Sequence, residues 1–79
     1  MIAKRVTVTA TRVKVKATPE RCVLHNSKDG EDCFVGGPDV TVVNGWPFLK
    51  QGVLPREEHG EVWAVCLAGK TTTIHVMVW

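Results

Sequence analysis

Apolar and polar residues alternate along the first part of the chain. Valine or alanine occupies the even positions of 6–10 and the odd positions of 13–17, between threonines and lysines. Apolar residues at every second position predict β-strands with one buried face. The change from even to odd positions would turn the following side chains to the opposite face. We therefore predict a bulge or a crossing between two sheets near Thr11 and Arg12.

The rest of the chain also has the pattern of short strands separated by turns. Asp29-Gly30 and Asn44-Gly45 are typical of hairpin turns, and Pro47 favours an edge strand. Segment 61–67 has apolar residues at both its odd and its even positions, which indicates a central strand covered on both faces. The further extended segments are 22–26, 33–35, 40–43, 46–49, 52–55 and 71–79, the last with Ile74, Val76 and Val78 on its core face.

These segments predict an all-β fold, a single small antiparallel β-sandwich or barrel without significant helix. We expect one domain over residues 1–79, with a basic N-terminal strand at 4–17 and a sandwich body at 21–79. A chain of 79 residues buries only about 60 to 65% of its unfolded surface, so its core is thin. A docking partner is one way in which such a small domain gains stability.

No motif in the sequence indicates catalysis, a cofactor or a metal. Cys22 and His25 have the spacing of metal ligands but point to opposite faces of a strand, and no second pair completes a site. Cys33 and Cys66 fit small buried apolar residues better than a disulfide framework. Glu57-Glu58 is explained more simply as a solvated turn than as a pair of catalytic carboxylates. We expect no enzyme activity, no cofactor, and no membrane span, since no apolar run approaches about 18 residues.

Charge is distributed unevenly although the formal net charge is only +2. The first quarter of the chain carries a basic group consisting of Lys4, Arg5, Arg12, Lys14, Lys16 and Arg21. A basic strand face could bind nucleic acid, as OB-type barrels do, but the aromatic residues needed for base stacking are not interleaved with it. It could equally dock on an acidic protein surface or be a solvated face protected from edge pairing.

The most apolar loop-like segment is Trp46-Pro47-Phe48-Leu49. Exposed, these residues would anchor an interface; turned inward, they would fill the core, and the sequence leaves both interpretations open. Trp79 is expected in a closing strand that is held in a sheet or an interface.

Several short motifs occur along the chain in an order and spacing typical of one group of proteins. They are His25-Asn26-Ser27, Phe34-Val35-Gly36-Gly37, Asp39-Val40-Thr41, Asn44-Gly45-Trp46-Pro47-Phe48-Leu49, Gly52, Val62-Trp63-Ala64-Val65-Cys66 and Gly69. From Arg21 onward the chain resembles the small β-sandwich virion proteins of tailed bacteriophages, which are encoded with head and structural genes. The polar loop 27–32 is longer than in that pattern, Phe48 precedes the expected leucine, and the basic first strand lies outside it.

The resemblance implies a non-enzymatic virion structural protein, in particular a decoration or cement protein that docks on the assembled head and stabilises it. The implied partners are the major capsid protein and sister copies in a possible homo-oligomer, and the implied location is the capsid surface after synthesis in the host cytoplasm. The interface candidates are Lys4, Arg5, Arg12, Lys14, Lys16, Trp46, Pro47, Phe48, Leu49 and Trp79. A neck or tail component and a small OB-like nucleic-acid-binding module are the alternatives, nucleic acid being the less favoured partner.

Overall fold

A computed structural model describes residues 2–17, 21–56 and 60–78 of the chain. Within these ranges the strands are β1 (Ile2–Val8), β2 (Val13–Lys16), β3 (Cys22–Asn26), β4 (Cys33–Gly36), β5 (Trp46–Phe48), β6 (Val53–Arg56), β7 (Val62–Val65) and β8 (Thr72–Val78). The first sheet has the order β1-β8-β3-β6 and the second the order β2-β7-β4-β5. All pairings are antiparallel and the described residues include no helix, which confirms the all-β prediction. The two sheets pack together as a sandwich and do not close into a barrel.

The chain crosses from one sheet to the other between β1 and β2, as the change of parity predicted. β1 pairs with β8 in the first sheet, whereas β2 pairs with β7 in the second. The backbone N–H of Cys66 donates to the carbonyl of Thr9 at 2.8 Å and so fixes the start of this link. The basic segment 4–17 is therefore two strands in two sheets and not one strand.

The core lies between the sheets and uses one face of most strands. It contains Val8, Val15, Cys22, Leu24, Cys33, Val35, Phe48, Val62, Ala64, Cys66, Ile74, Val76 and Val78. The three core positions predicted for the last strand are thus confirmed. Burial of these apolar side chains is the main favourable contribution to folding.

Strand β7 has the central position that its apolar sequence predicted. It lies between β2 and β4, and Val65 on its outer face is only 6% exposed. The segment 37–45 folds back toward this face, where Val40 and Val65 line one shallow depression and Val40 is itself buried. Leu67 lies beyond the strand and is exposed, so the predicted segment 61–67 is longer than the strand that forms.

One hairpin prediction and one strand prediction were wrong. The loop that contains Asp29-Gly30 does not form a hairpin, since it carries the chain from β3 in the first sheet to β4 in the second. The β-branched segment 40–43 is not a strand, because its backbone is folded into a hydrogen-bonded turn with Asn44 and Gly45. Both β5 and β6 are edge strands, which confirms the edge position predicted from Pro47.

The buried side chain of Asn26 connects the two sheets where β3 ends. Its Nδ2 donates to the carbonyl of Glu31 at 2.9 Å and to that of Phe48 at 3.0 Å. Its Oδ1 accepts a hydrogen bond of 2.6 Å from Oγ1 of Thr72. One amide thereby satisfies groups from a loop, β5 and β8, as a buried polar side chain requires.

Candidate interface surfaces

The basic residues do not form one surface. Lys4 and Arg5 are exposed on β1, and as neighbours in a strand they project to opposite faces. Lys14 lies on the second sheet, where its Nζ is 3.4 Å from Oε2 of Glu61. The hydrogen bond from Trp63, together with the charge of Lys14, lowers the pKa of that carboxyl. The sequence had suggested one basic strand face. The described residues do not form such a face.

Arg12 lies in the link between β1 and β2. Its side chain is exposed, and Nη1 donates to the carbonyl of Val40 at 3.4 Å. This contact joins the inter-sheet link to the segment that folds over the second sheet. Arg12 therefore stands apart from Lys4 and Arg5 on β1.

Lys16 is fully buried, so its prediction as a surface residue was wrong. The register between β2 and β7 shifts between Lys14 and Lys16, where Val15 is the extra, unpaired residue. Both Val15 and Lys16 are buried. The Lys16 Nζ donates to the carbonyl of Gly60 at 2.8 Å and to that of Ala17 at 3.3 Å. A β-bulge breaks the simple alternation of faces, which is why the sequence pattern misplaced this lysine.

The segment Trp46-Pro47-Phe48-Leu49 divides between core and surface. Phe48 is 5% exposed and belongs to the core, whereas Trp46 is 72% exposed. Both pair with core residues of β4, Phe48 with Cys33 and Trp46 with Val35, and so lie on the same face of β5. The sequence left open whether these residues lie in the core or at the surface. In the structure Trp46, Pro47 and Leu49 are exposed and available for contact, whereas Phe48 is buried.

Four exposed apolar residues lie in the stretch of chain that runs from the turn before β5 to the start of β6, and we refer to them as the apolar edge. They are Val43, Trp46, Leu49 and Val53, which make up four of the seven exposed large hydrophobic residues in the described ranges. Trp46 lies on edge strand β5 and Val53 on edge strand β6, with the short 49–52 turn between the two strands. Exposed large apolar side chains that accumulate along one stretch of the chain mark it as a candidate interaction site.

The turn that precedes β5 is held by its own side chains. The backbone N–H of Thr41 donates to Oδ1 of Asn44 at 2.7 Å, and Oγ1 of Thr41 accepts from the N–H groups of Val43 and Asn44. The N–H of Gly45 closes the turn on the carbonyl of Thr41 at 2.9 Å. Val43 is 91% exposed on this fixed backbone. An interface residue held in place before binding loses less conformational entropy on docking.

A row of three residues that the sequence did not bring together crosses the outer face of the first sheet. Arg5 pairs with His75, and His75 pairs with His25, on three neighbouring strands. The two imidazole ring centroids are 5.9 Å apart. The row borders a shallow concavity of about 460 Å³ that is also lined by Val23 and Met77. Alternation places each histidine on an outward position, but only the strand order brings the two together.

The cysteines are free and buried, in agreement with the sequence interpretation. Burial, followed by the proximity of Cys66 and Asp32, raises the pKa of Cys33 from 9.0 to about 12. Burial also raises the pKa of Cys66. The described residues contain no group of three or more His, Cys, Asp or Glu side chains arranged to hold a metal ion.

The raised pKa values predict thiols that do not react in the folded protein. We expect Cys33 and Cys66 to resist alkylation by iodoacetamide at pH 8 and to react when the protein is unfolded in urea, because the thiolate is the nucleophile. Above about pH 9 the unfolded Cys33 ionises while the folded one stays protonated, so stability should fall as the pH rises toward 12. Mass spectrometry of native and unfolded samples and urea melts at pH 8 and 10 test both expectations. Rapid native labelling of Cys33 would contradict them.

Some predicted residues lie outside the described ranges. Trp79, an interface candidate, and Glu57-Glu58, interpreted as a solvated turn, belong to this group. Among the described residues no helix is long and apolar enough to cross a membrane. Searches against protein-family models, curated proteins and solved structures gave no significant match for this chain.

Proposed function

We propose that this protein is a non-enzymatic structural protein of a tailed-bacteriophage virion, a decoration or cement protein that docks on the assembled head. The observation that carries the docking role is the apolar edge formed by Val43, Trp46, Leu49 and Val53. The assignment to a phage virion rests on the resemblance of the sequence motifs from Arg21 onward.

The apolar edge has the chemistry of an interface centre. Tryptophan is enriched among the residues that contribute most to binding, and here Trp46 is 72% exposed and Leu49 is 59% exposed. The fixed turn before β5 adds the exposed Val43 three residues before Trp46. Polar exposed residues flank this centre, as at a non-obligate interface with an apolar core and a polar rim.

Docking through side chains fits this edge better than addition of a partner strand. β5 contains three residues, and the central one, Pro47, has no backbone N–H to donate. A short edge strand that carries proline is a poor template for strand pairing. The partner surface is therefore expected to contain a pocket or groove for Trp46.

The proposed mechanism is stabilisation by mass action. A protein that binds the assembled shell, and not the free subunits, shifts the equilibrium toward the shell. Lys4 and Arg5 on β1 would supply a separate polar contact to a capsid subunit or a sister copy. Copies around a symmetry axis of the head could form a closed oligomer.

Two alternatives remain distinct in their expected partners. A neck or tail component would use the same edge on a different virion protein. An OB-like nucleic-acid binder has less support, because the sheets do not close into a barrel and the basic residues lie on different surfaces.

The proposal predicts that Trp46→Ser weakens binding to empty heads of the encoding phage at least about 30-fold, as expected for a hot-spot tryptophan. Folding should change little, because Trp46 is mostly exposed. Leu67→Ser is the matched control, since Leu67 is an exposed apolar residue outside the apolar edge. Co-sedimentation with heads measures binding, and thermal melts check folding.

The same experiment includes duplex and single-stranded DNA over a series of salt concentrations. Saturable binding to heads that Trp46→Ser weakens and Leu67→Ser leaves intact supports the proposal. Binding to DNA that collapses with salt, without binding to heads, would replace it by the nucleic-acid alternative. Equal losses for both variants would contradict the role given to the apolar edge.

A further inference from the structure

We infer that His25 and His75 form a two-histidine binding site for a divalent transition metal ion such as Cu²⁺, Zn²⁺ or Ni²⁺. The two residues are direct cross-strand partners on β3 and β8. They share the outer face of the first sheet, where His75 is exposed and His25 is half-buried. This inference is independent of the proposed docking on phage heads.

The separation of the rings fits coordination of one ion by both. With metal–nitrogen distances of about 2.0 to 2.1 Å, two imidazoles on a common ion have ring centroids roughly 4.5 to 6.5 Å apart, as the angle at the metal increases from 90° to 180°. The observed centroid separation is 5.9 Å, with a tilt of 32° between the rings. Small rotations of the side chains are then sufficient to direct one nitrogen of each ring to a shared position.

The backbone under the pair is held on both sides. β8 and β3 are the two interior strands of the first sheet, between β1 and β6. The adjacent pair Val23 and Met77 continues the same register, and beyond the histidines the N–H of Ser27 donates to the carbonyl of Thr73 at 3.0 Å. Ligands on rigid strands need little reorganisation to bind an ion.

The surroundings determine which ions the pair would select. No carboxylate or thiol lines the described concavity beside the histidines. Its charged residue on the same face of the sheet is Arg5, the cross-strand partner of His75. Oxygen-preferring ions such as Mg²⁺ and Ca²⁺ therefore find no suitable ligand, whereas imidazole suits copper, zinc and nickel. The remaining coordination positions would be taken by water, so the ion is a surface ligand and not a requirement for folding.

Titration with Cu²⁺, followed by calorimetry and electron paramagnetic resonance, tests the inference. We expect one ion per chain with hyperfine coupling to two imidazole nitrogens, and at least a 10-fold loss of affinity in both His25→Gln and His75→Gln. His59→Gln removes the third histidine of the sequence and serves as the matched control, with affinity unchanged. Circular dichroism verifies that each variant is folded. Retained affinity in His75→Gln, or an equal loss in His59→Gln, would overturn the inference.

Two further measurements separate a metal site from an anion site on the same row. The Cu²⁺ affinity of Arg5→Gln should equal or exceed that of the wild type, because the substitution removes a neighbouring positive charge. Inorganic phosphate added to the wild type should not compete with Cu²⁺. Zn²⁺ at about 100 times its dissociation constant should raise Tm by roughly 10 °C or more in the wild type and not in His75→Gln. Binding of phosphate that requires Arg5, without binding of Cu²⁺, would replace the metal site by an oxyanion site.

Discussion

Asn26→Ala is expected to lower the free energy of unfolding by about 3 to 5 kcal/mol. The substitution leaves the hydroxyl of Thr72 and the carbonyls of Glu31 and Phe48 without their hydrogen-bond partner in a buried region. Each buried polar group that loses its partner costs about 1 to 3 kcal/mol. Since small domains have little stability in reserve, much of the variant should be unfolded at 37 °C.

Urea denaturation at 10 °C, monitored by circular dichroism, measures the effect. Asn44→Ala is the matched control, because Asn44 is exposed and its hydrogen bonds fix only a surface turn. We expect it to cost about 0.5 to 1.5 kcal/mol. Thr72→Val removes one of the Asn26 hydrogen bonds and should give an intermediate loss, which keeps the test usable if Asn26→Ala does not fold. Equal losses for the two asparagine variants would contradict the connecting role of Asn26.

Gly30→Ala is expected to cost about 2 to 3 kcal/mol, the upper part of the range for overpacking. A Cβ on Gly30 would overlap Oγ1 of Thr72 and lie 2.8 Å from its Cβ. That hydroxyl cannot rotate away without losing its 2.6 Å hydrogen bond to Asn26. The glycine is therefore required by the close approach of the 27–32 loop to β8, and not by a hairpin turn.

Gly37→Ala provides the comparison for this prediction. A Cβ at Gly37 meets no atom within 4 Å, so its stability should change by less than about 0.5 kcal/mol. Thermal and urea melts of the two variants measure the difference. A loss in Gly37→Ala as large as that in Gly30→Ala would contradict the explanation by contact with Thr72, because the lower entropy of the unfolded chain favours alanine at both positions.

Particular residues show where alternation predicted the structure well. The crossing near Thr11 and Arg12 followed from a change of parity, because a strand cannot keep one buried face through such a change. The core face of β8 and the edge position of Pro47 also depend on local chemistry, namely side-chain direction and the missing proline N–H.

Trp46 and Phe48 show where alternation was insufficient. They lie on the same face of one strand, yet one is exposed and the other buried, because the opposite sheet covers only part of β5. The same limit applies to Lys16, whose burial depends on a register shift against β7. Neither the extent of coverage nor the register with a distant strand is a property of the local sequence.

The sequence by itself determined the all-β class, most strand positions and the inter-sheet crossing, since a period of two is a property of each strand alone. Only the tertiary structure decided which strands are neighbours. It therefore assembled the Asn26 connection and the His25–His75 pair from residues far apart in the chain. The physical reason is that alternation specifies the side of a strand on which a residue lies, whereas its partners depend on strand order and on the packing of the sheets.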